Sequence, residues 1–357
     1  MASQSVDQFV DRFREEFKRY KRNQPPPDYS DVIELSEEQQ SKNKVSIRNP
    51  LPTPSREVAQ LAAVLGLNPP DQWRVYGVND VPGLVVVPNP FVTGAQHYWI
   101  SRCLVDYPCH PNVCNLDAHM TREGSGQMWS PGNDFMIKKL TWVTLGYHYN
   151  WSTKEYSPAN HSEFPGDLSS LASFVLDCLG FHQFKAEAAI VNYYQTGATL
   201  SGHTDHSEQD LTAPLISISF SQSAVFLIGG QTKDIKPTAL FVHSGDVIVM
   251  SQQSRLAYHG VPKILTPRNP SVPDCLTEAA LRQRIQQIKK LQCCLVEMER
   301  HTVNPDEDLS LQEHNKSGFH FTDILKFDYQ WLLSNWKHFE QYLNTTRINM
   351  NIRQVYH

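Results

Sequence analysis

"RINMNIRQVY", residues 347–356, is the stretch on which the fold turns. Arg347, Asn349, Asn351 and Arg353 take alternate positions, with Ile348, Met350 and Ile352 between them. Successive side chains of a strand point to opposite faces, so this segment has one polar face and one apolar face. A solvent-facing sheet edge would carry that pattern, and so would the wall of a barrel with a polar interior. Two arginines on one face can hold both carboxylates of a small diacid through bidentate hydrogen bonds.

Working back from this strand, short runs rich in Val, Ile, Phe and Tyr alternate with Gly, Asn, Pro and Ser. They are "LTWVTLGYHYNW" (140–151), "AEAAIVNYYQ" (186–195), "PLISISFSQSAVFLIGG" (214–230) and "TALFVHSGDVIVMS" (238–251). Such spacing indicates an antiparallel sandwich or barrel. Helical patterns surround the runs, at "REVAQLAAVLGL" (56–67), "GAQHYWISRCLVDY" (94–107) and "DLSSLASFVLDCLG" (167–180). A longer helical region, about 274–345, sits as an insertion before the last strand. The expected class is therefore α+β, with a β core and flanking helices.

Within the β region, "LSGHTDHSEQD" (200–210) places His203 and Asp205 two positions apart, so both side chains reach one point while Thr204 points away. Imidazole plus carboxylate makes two of the three ligands of the facial triad used by non-haem Fe(II) oxygenases. H-x-D alone is common by chance. The candidate third ligand is His259 in "SRLAYHGVP" (254–262), where a lone His would otherwise read as a satisfied polar residue. Fe(II) with a diacid suggests 2-oxoglutarate, and "VNYYQ" offers Asn192 and Tyr194 on one strand face to hydrogen-bond it.

The series H-x-D…H…R-x-N-x-x-x-R, carried by "AEAAIVNYYQTGATLSGHTDHSE", "HSGDVIVMSQQSRLAYHG" and "RINMNIRQ", resembles the AlkB family of Fe(II)/2-oxoglutarate nucleic-acid dioxygenases. Outside the core, "VVVPNPF", "PNVCNLDAHM" and "GYHYNW" are similar to the subgroup of the first animal AlkB homologue. The resemblance implies a double-stranded β-helix (jelly-roll, cupin-like) core and an enzyme using Fe(II), 2-oxoglutarate and O2. It implies that His203, Asp205 and His259 hold the metal. Arg347 would take the distal carboxylate of 2-oxoglutarate and Arg353 would sit near its keto-acid end, with Asn192, Tyr194 and Asn349 in support. His206 matches no family ligand.

The resemblance further implies oxidative demethylation of an N-methylated adenine, N6-methyladenine in DNA or N1-methyladenine in tRNA, with release of formaldehyde and succinate. Members of the family take the base out of its stack and hold it against aromatic rings. "TWVTLGYHYNW" offers Trp142, Tyr147, Tyr149 and Trp151, of which Tyr147 and Tyr149 share a face and are the better candidates, although an aromatic stripe on a strand also reads as packing. Ser207 stands where members that repair alkylated bases often carry Asp, which puts a generic repair specificity in doubt. Two rival readings remain: an oxygenase acting on protein or histone, and a non-catalytic binding protein. The complete triad and both arginines argue against the second.

The rest of the chain sets bounds. Its 357 residues and formal charge of −5 do not announce a nucleic-acid binder, though a local basic groove can sit on an acidic protein. Seven cysteines read as reduced thiols rather than a disulfide framework. Cys103, Cys109, His110, Cys114 and His119 lack the C-x2-C spacing of structural zinc. No apolar run is long enough for a membrane span. Residues 1–24 read as an amphipathic helix, with Phe9, Val10, Phe13, Phe17 and Tyr20 at helical spacing and a basic strip of Lys18, Arg19, Lys21 and Arg22. Residues 25–58 read as a Pro-rich extended linker and 59–357 as the dioxygenase domain. Asp7, Asp11, Glu15 and Glu16 speak against a mitochondrial presequence. A monomer is expected, in the nucleus by substrate or, alternatively, in the mitochondrion.

Overall fold

The polar face of the terminal strand is buried. The computed structural model describes residues 10–35, 44–48, 51–118, 137–265, 272–301 and 322–356, so Phe9 and His119 lie outside the described residues. In chain order the elements begin with α1 (Arg12–Lys21), β1 (Val45–Ile47), α2 (Arg56–Leu65), β2 (Tyr76–Val78), β3 (Leu84–Val87) and α3 (Gln96–Ser101). Next come β4 (Val113–Cys114), β5 (Trp142–Gly146), α4 (Gly166–Cys178), β6 (Ala188–Gln195), β7 (Leu200–His203), β8 (Leu215–Ser221) and β9 (Ala224–Ile228). Last are β10 (Thr238–Val242), β11 (Val247–Met250), β12 (His259–Ile264), α5 (Glu278–His301), α6 (Thr322–Lys326), α7 (Tyr329–Leu343) and β13 (Thr346–Arg353).

Two antiparallel sheets face each other as a double-stranded β-helix. The larger runs β1-β2-β3-β11-β8-β13-β6-β5-β4 and the smaller β10-β9-β12-β7. β13 lies between β8 and β6, where Asn349 stands opposite Ser219 and Asn192, and Arg347 opposite Ser221 and Tyr194. The period-2 pattern then separates two cores. Ile348, Met350, Ile352, Val191, Ile216 and Ile218 face outward and pack with residues of α2, α4, α5 and α7. Tyr194, Leu215, Ile248 and Met250 face the smaller sheet with Phe226, Ile228 and Val261.

Two of the helices that cover the larger sheet, α2 and α7, are capped by side chains. Ser55 caps α2, accepting from the Val58 amide, and Gly66 ends it at φ 81°, where a side chain would be strained. Asp328 caps α7 by accepting from the Gln330 and Trp331 amides. Trp336 of α7 is fully buried and donates its indole N–H to the Leu276 carbonyl at 2.7 Å, tying the last helix of the insertion back to its first turn.

The smaller sheet is covered from outside by α1 and the segment after it. Ile33 bridges to Leu240 beside β10, while Phe13 and Tyr20 are buried against Val225, Leu227 and Ala239. Residues 28–35 are thus laid along the barrel. No helix among the described residues is long and apolar enough to cross a membrane.

The turn between β10 and β11 generates a pH dependence. Asp246 accepts from the amides of His243 (2.7 Å) and Asn89 (3.1 Å), and burial pushes its carboxyl up to about 6. A carboxyl raised above its unfolded value binds its proton more tightly in the native state. Its contribution to stability is present below about pH 4 and is lost as the pH rises through about 6. Denaturation as a function of pH tests this: Asp246→Asn flattens that decline, by at most roughly 1.4 kcal/mol per pH unit.

Candidate active site

β7 and β12 bring two histidines face to face across one rung. His203 pairs with His259 in the register of the smaller sheet, and their rings lie 4.3 Å apart. Asp205, just past the end of β7, completes the group. Its Oδ2 lies 3.6 Å from His259 Nε2 and its Oδ1 3.9 Å from His203 Nε2. One ligand atom from each of the three residues falls within 4.8 Å of the other two, the only such cluster of metal-ligating side chains among the described residues.

The imidazoles are oriented for a metal. His203 Nδ1 faces the Ser201 carbonyl and His259 Nδ1 the Ala257 carbonyl, each at 3.0 Å. A carbonyl accepts, so each Nδ1 carries the proton and each Nε2 offers a lone pair to the centre. Burial, then the neighbouring His203, push His259 down to about 4, which keeps it neutral. Burial alone would raise the Asp205 carboxyl, but Arg353, then His259 and His203, hold it well below the usual range. The donor set of two neutral imidazoles and one carboxylate fits Fe(II).

Arg353 is itself held in a buried charge network. It reaches Asp205 Oδ1 at 3.1 Å and Glu208 Oε1 at 3.0 Å. Arg255 binds the far oxygen of Glu208 at 3.0 Å and donates to the Asp205 backbone carbonyl at 2.7 Å. Arg353 therefore sits against the oxygen of Asp205 that faces His203, and Arg255 fixes the backbone of the ligand.

Arg347 differs. It is buried and donates to Ser219 Oγ at 2.8 Å, yet its Nε and Nη1 have no hydrogen-bond partner, and no carboxylate lies within ion-pair distance among the described residues. Its guanidinium lies over the Tyr194 ring at 5.6 Å, and the Tyr194 hydroxyl is also without a partner. Burial pushes Arg347 down to about 10 and Tyr194 up to about 12. Unpaired buried donors aimed into a cavity are what a carboxylate would satisfy. The residues thus fit the distal end of 2-oxoglutarate. Asn349 is secured by Ser217 Oγ at 2.9 Å and takes a hydrogen bond from Asn351 at 2.9 Å.

One cavity of about 580 Å³ connects these groups, lined by the triad, Asn192, Arg347, Asn349, Asn351 and Arg353. Of the proposed base contacts, Tyr149 and Ser207 line it, their hydroxyls 3.4 Å apart. Trp142 and Tyr147 do not. Gly146, at φ 67°, ends β5, so the alternation that would place Tyr147 and Tyr149 on one face stops before them. Tyr147 packs edge-on against Tyr356 at 4.8 Å, and Trp142 sits behind Trp151 at 5.2 Å.

The turn closed by the Asn150–Glu155 bridge brings the fourth aromatic of the run, Trp151, to the cavity, together with Lys154 and Tyr156, which the sequence reading did not name. Trp151 is 48% exposed at its mouth and meets Tyr149 edge-on at 4.8 Å. A polar turn between two aromatic pairs was the available signal. His206 is exposed at the rim, bonded to the Thr204 hydroxyl at 2.9 Å.

With this geometry in view, residues 83–353 match the model of the 2OG-Fe(II) oxygenase superfamily. The chain belongs to that superfamily. Within it, the chain is AlkB-like: it is 36% identical over 375 residues to the nucleic acid dioxygenase ALKBH1 of mouse and of human, covering 99% of this chain and 86% of each relative. The tRNA demethylase abh1 of Schizosaccharomyces pombe is 34% identical over 284 residues, 72% of this chain and 87% of its own. The DNA N(6)-methyladenine demethylase ALKBH1A of Arabidopsis thaliana is 26% identical over 323 residues, 80% of this chain and 79% of its own. The superfamily works with Fe(II), 2-oxoglutarate and O2.

Replacing Arg347 separates its two effects. Arg347→Met removes an uncompensated buried cation, so the metal-free protein keeps or gains stability in denaturant. Affinity for 2-oxoglutarate, measured by calorimetry on Mn(II)-loaded protein, falls by roughly a hundredfold as the charge-assisted hydrogen bonds are lost.

Proposed function

We propose that this protein oxidatively demethylates N-methylated adenine in nucleic acid. The observation that carries the reading is the union, in one cavity, of the His203–Asp205–His259 cluster, the unsatisfied Arg347 and an aromatic mouth at Tyr149, Trp151 and Tyr156. The relatives named as tRNA and DNA N(6)-methyladenine demethylases support it.

When bound, Fe(II) with 2-oxoglutarate and O2 supplies the oxidising power that hydroxylates an N-methyl carbon, with the cosubstrate going to succinate and CO2. The chain's own part is positional. Arg347, with Tyr194 and Asn349 around it, holds the distal carboxylate and so sets which way the keto-acid end points. His203, Asp205 and His259 would hold the Fe(II) through two imidazoles and one carboxylate. Arg353, fixed by Glu208, keeps Asp205 ionised and oriented. Tyr149 and Trp151 offer rings on which an extruded base can stack, and the Ser207 hydroxyl lies within its reach. The hydroxylated methyl then leaves as formaldehyde.

A phosphate path runs beside this mouth. Arg14, Lys18, Lys21 and Lys233 line a groove of about 320 Å³ whose wall includes Ser201 and Gly202, residues that also line the catalytic cavity. This differs from the strip read in the sequence, because Arg19 turns away and is held by Asp31 at 2.8 Å and Glu16 at 3.2 Å. A cationic groove on a chain of net charge −5 favours a polyanion over a peptide. Nuclear or mitochondrial residence would follow the substrate.

The test is product release from three substrates side by side: N-methyladenine oligodeoxynucleotides, methylated tRNA and methyl-lysine histone peptides. Formaldehyde and succinate in equal amounts from a nucleic acid, lost in His203→Ala and Asp205→Ala, are expected. Product from the peptide alone would overturn the reading.

A further inference from the structure

The strand that carries His203 is weakly anchored within its own sheet. β7 is the edge of the smaller sheet and pairs only with β12, through His203–His259 and Leu200–Val261, with an irregular register between. His203 is 37% exposed on the cavity side, and its ring makes one hydrogen bond, to the backbone of Ser201. Something else must fix a ligand whose useful tolerance is a fraction of an ångström.

The outer side of β7 shows what does. A Cβ added to Gly202 would lie 2.4 Å from Cε1 and 2.7 Å from Cδ1 of Phe13, so the ring lies directly on the strand backbone there. The same ring is within van der Waals reach of a Cβ on Gly229, at 3.4 Å, and its centroid is 6.3 Å from that of Tyr258. Phe13 is 2% exposed, and its amide donates to the Lys233 carbonyl at 3.0 Å, which seats α1 on the barrel. Gly202 precedes His203 and Tyr258 precedes His259. One ring from the N-terminal helix is therefore wedged behind both histidines, spanning the edge strand and the turn into β12.

We propose that Phe13 is a positioning residue for the metal centre, setting the separation of His203 from His259 by pinning the backbone at Gly202 from outside the barrel. The metal site is in this sense completed by α1. Gly202 has no steric freedom to accept a side chain while Phe13 is in place, and a smaller residue at position 13 lets β7 shift outward. The inference rests on the metal assignment and is independent of which methylated substrate the cavity takes.

A double-mutant cycle read by Co(II) binding tests it, using full-length protein, the visible absorption of Co(II) as a report of ligand geometry, and no turnover. Gly202→Ala weakens Co(II) binding roughly tenfold and changes the absorption band, the size seen when groups supporting metal ligands are lost. Phe13→Leu alone weakens it less, because an apolar side chain still covers the strand. The pair Phe13→Leu/Gly202→Ala, in which the smaller residue makes room for the added methyl, binds within about threefold of wild type. Additive losses in the pair, or unchanged Co(II) affinity in Gly202→Ala, would overturn the proposal. Thermal melts of the metal-free variants separate positioning from stability: equal melting temperatures with unequal Co(II) affinities support it, and affinities that merely track melting temperature contradict it. Wild-type protein that takes up no Co(II) would overturn the metal assignment itself, and the proposal with it.

Discussion

A guanidinium sealed inside a barrel with no carboxylate beside it is the constraint around which this structure is arranged. Burying a cation is costly unless it is paired, and Arg347 keeps two donor nitrogens without partners at 3% exposure. Its one side-chain hydrogen-bond partner is the neutral Ser219 and it lies over the Tyr194 ring, while Asp246 acts on it only through space, without an ion pair. A chain selected only for stability would place an apolar side chain there. The arrangement makes sense as one half of an ion pair whose other half arrives with a ligand, and the metal triad at the far end of the same cavity says what the rest of that ligand does.

The second arginine of the strand shows the contrast. Arg353 faces the same interior, yet it is ion-paired with Asp205 and Glu208, and Glu208 in turn with Arg255. These four charged groups are nearly solvent-free, so removing one leaves its partner uncompensated, at a cost of about 3–5 kcal/mol. What the network secures is geometry. Asp205 has one oxygen held by Arg353 and its backbone carbonyl held by Arg255, which leaves the other oxygen facing His259. Two arginines on one strand face thus divide the work. One is ion-paired to Asp205, and the other keeps unpartnered donors in the same cavity.

The parts of this that depend on local period were legible in the sequence. β13 alternates polar and apolar residues because its two faces meet two different interiors, and the same logic placed Asn192 and Tyr194 on the inner face of β6. His203 and Asp205 lie two positions apart, which the strand period reads as one side, and the structure keeps them together although Asp205 stands just past the end of β7. What the sequence hid is whatever depends on chain reversal or distant pairing. Glu208 and Arg255 meet across 47 positions with no motif to join them. Tyr147 looked equivalent to Tyr149 until Gly146 ended the strand, and Tyr156 entered the cavity through a turn that no alternation describes. Phe13 was visible only as the apolar face of a helix, since nothing in a helical period names the glycine it will lie on.

The account stands on the claim that Arg347 is the distal-carboxylate site of a diacid chelated at His203, Asp205 and His259. Anaerobic titration of the Fe(II)-loaded protein with 2-oxoglutarate and with 2-oxopentanoate isolates that claim, because the two acids share the chelating end and the carbon chain and differ only in the distal carboxylate. Calorimetry should find 2-oxoglutarate bound at least roughly a hundredfold tighter, as charge-assisted hydrogen bonds to a desolvated arginine require. Equal affinities for the two acids would contradict the account.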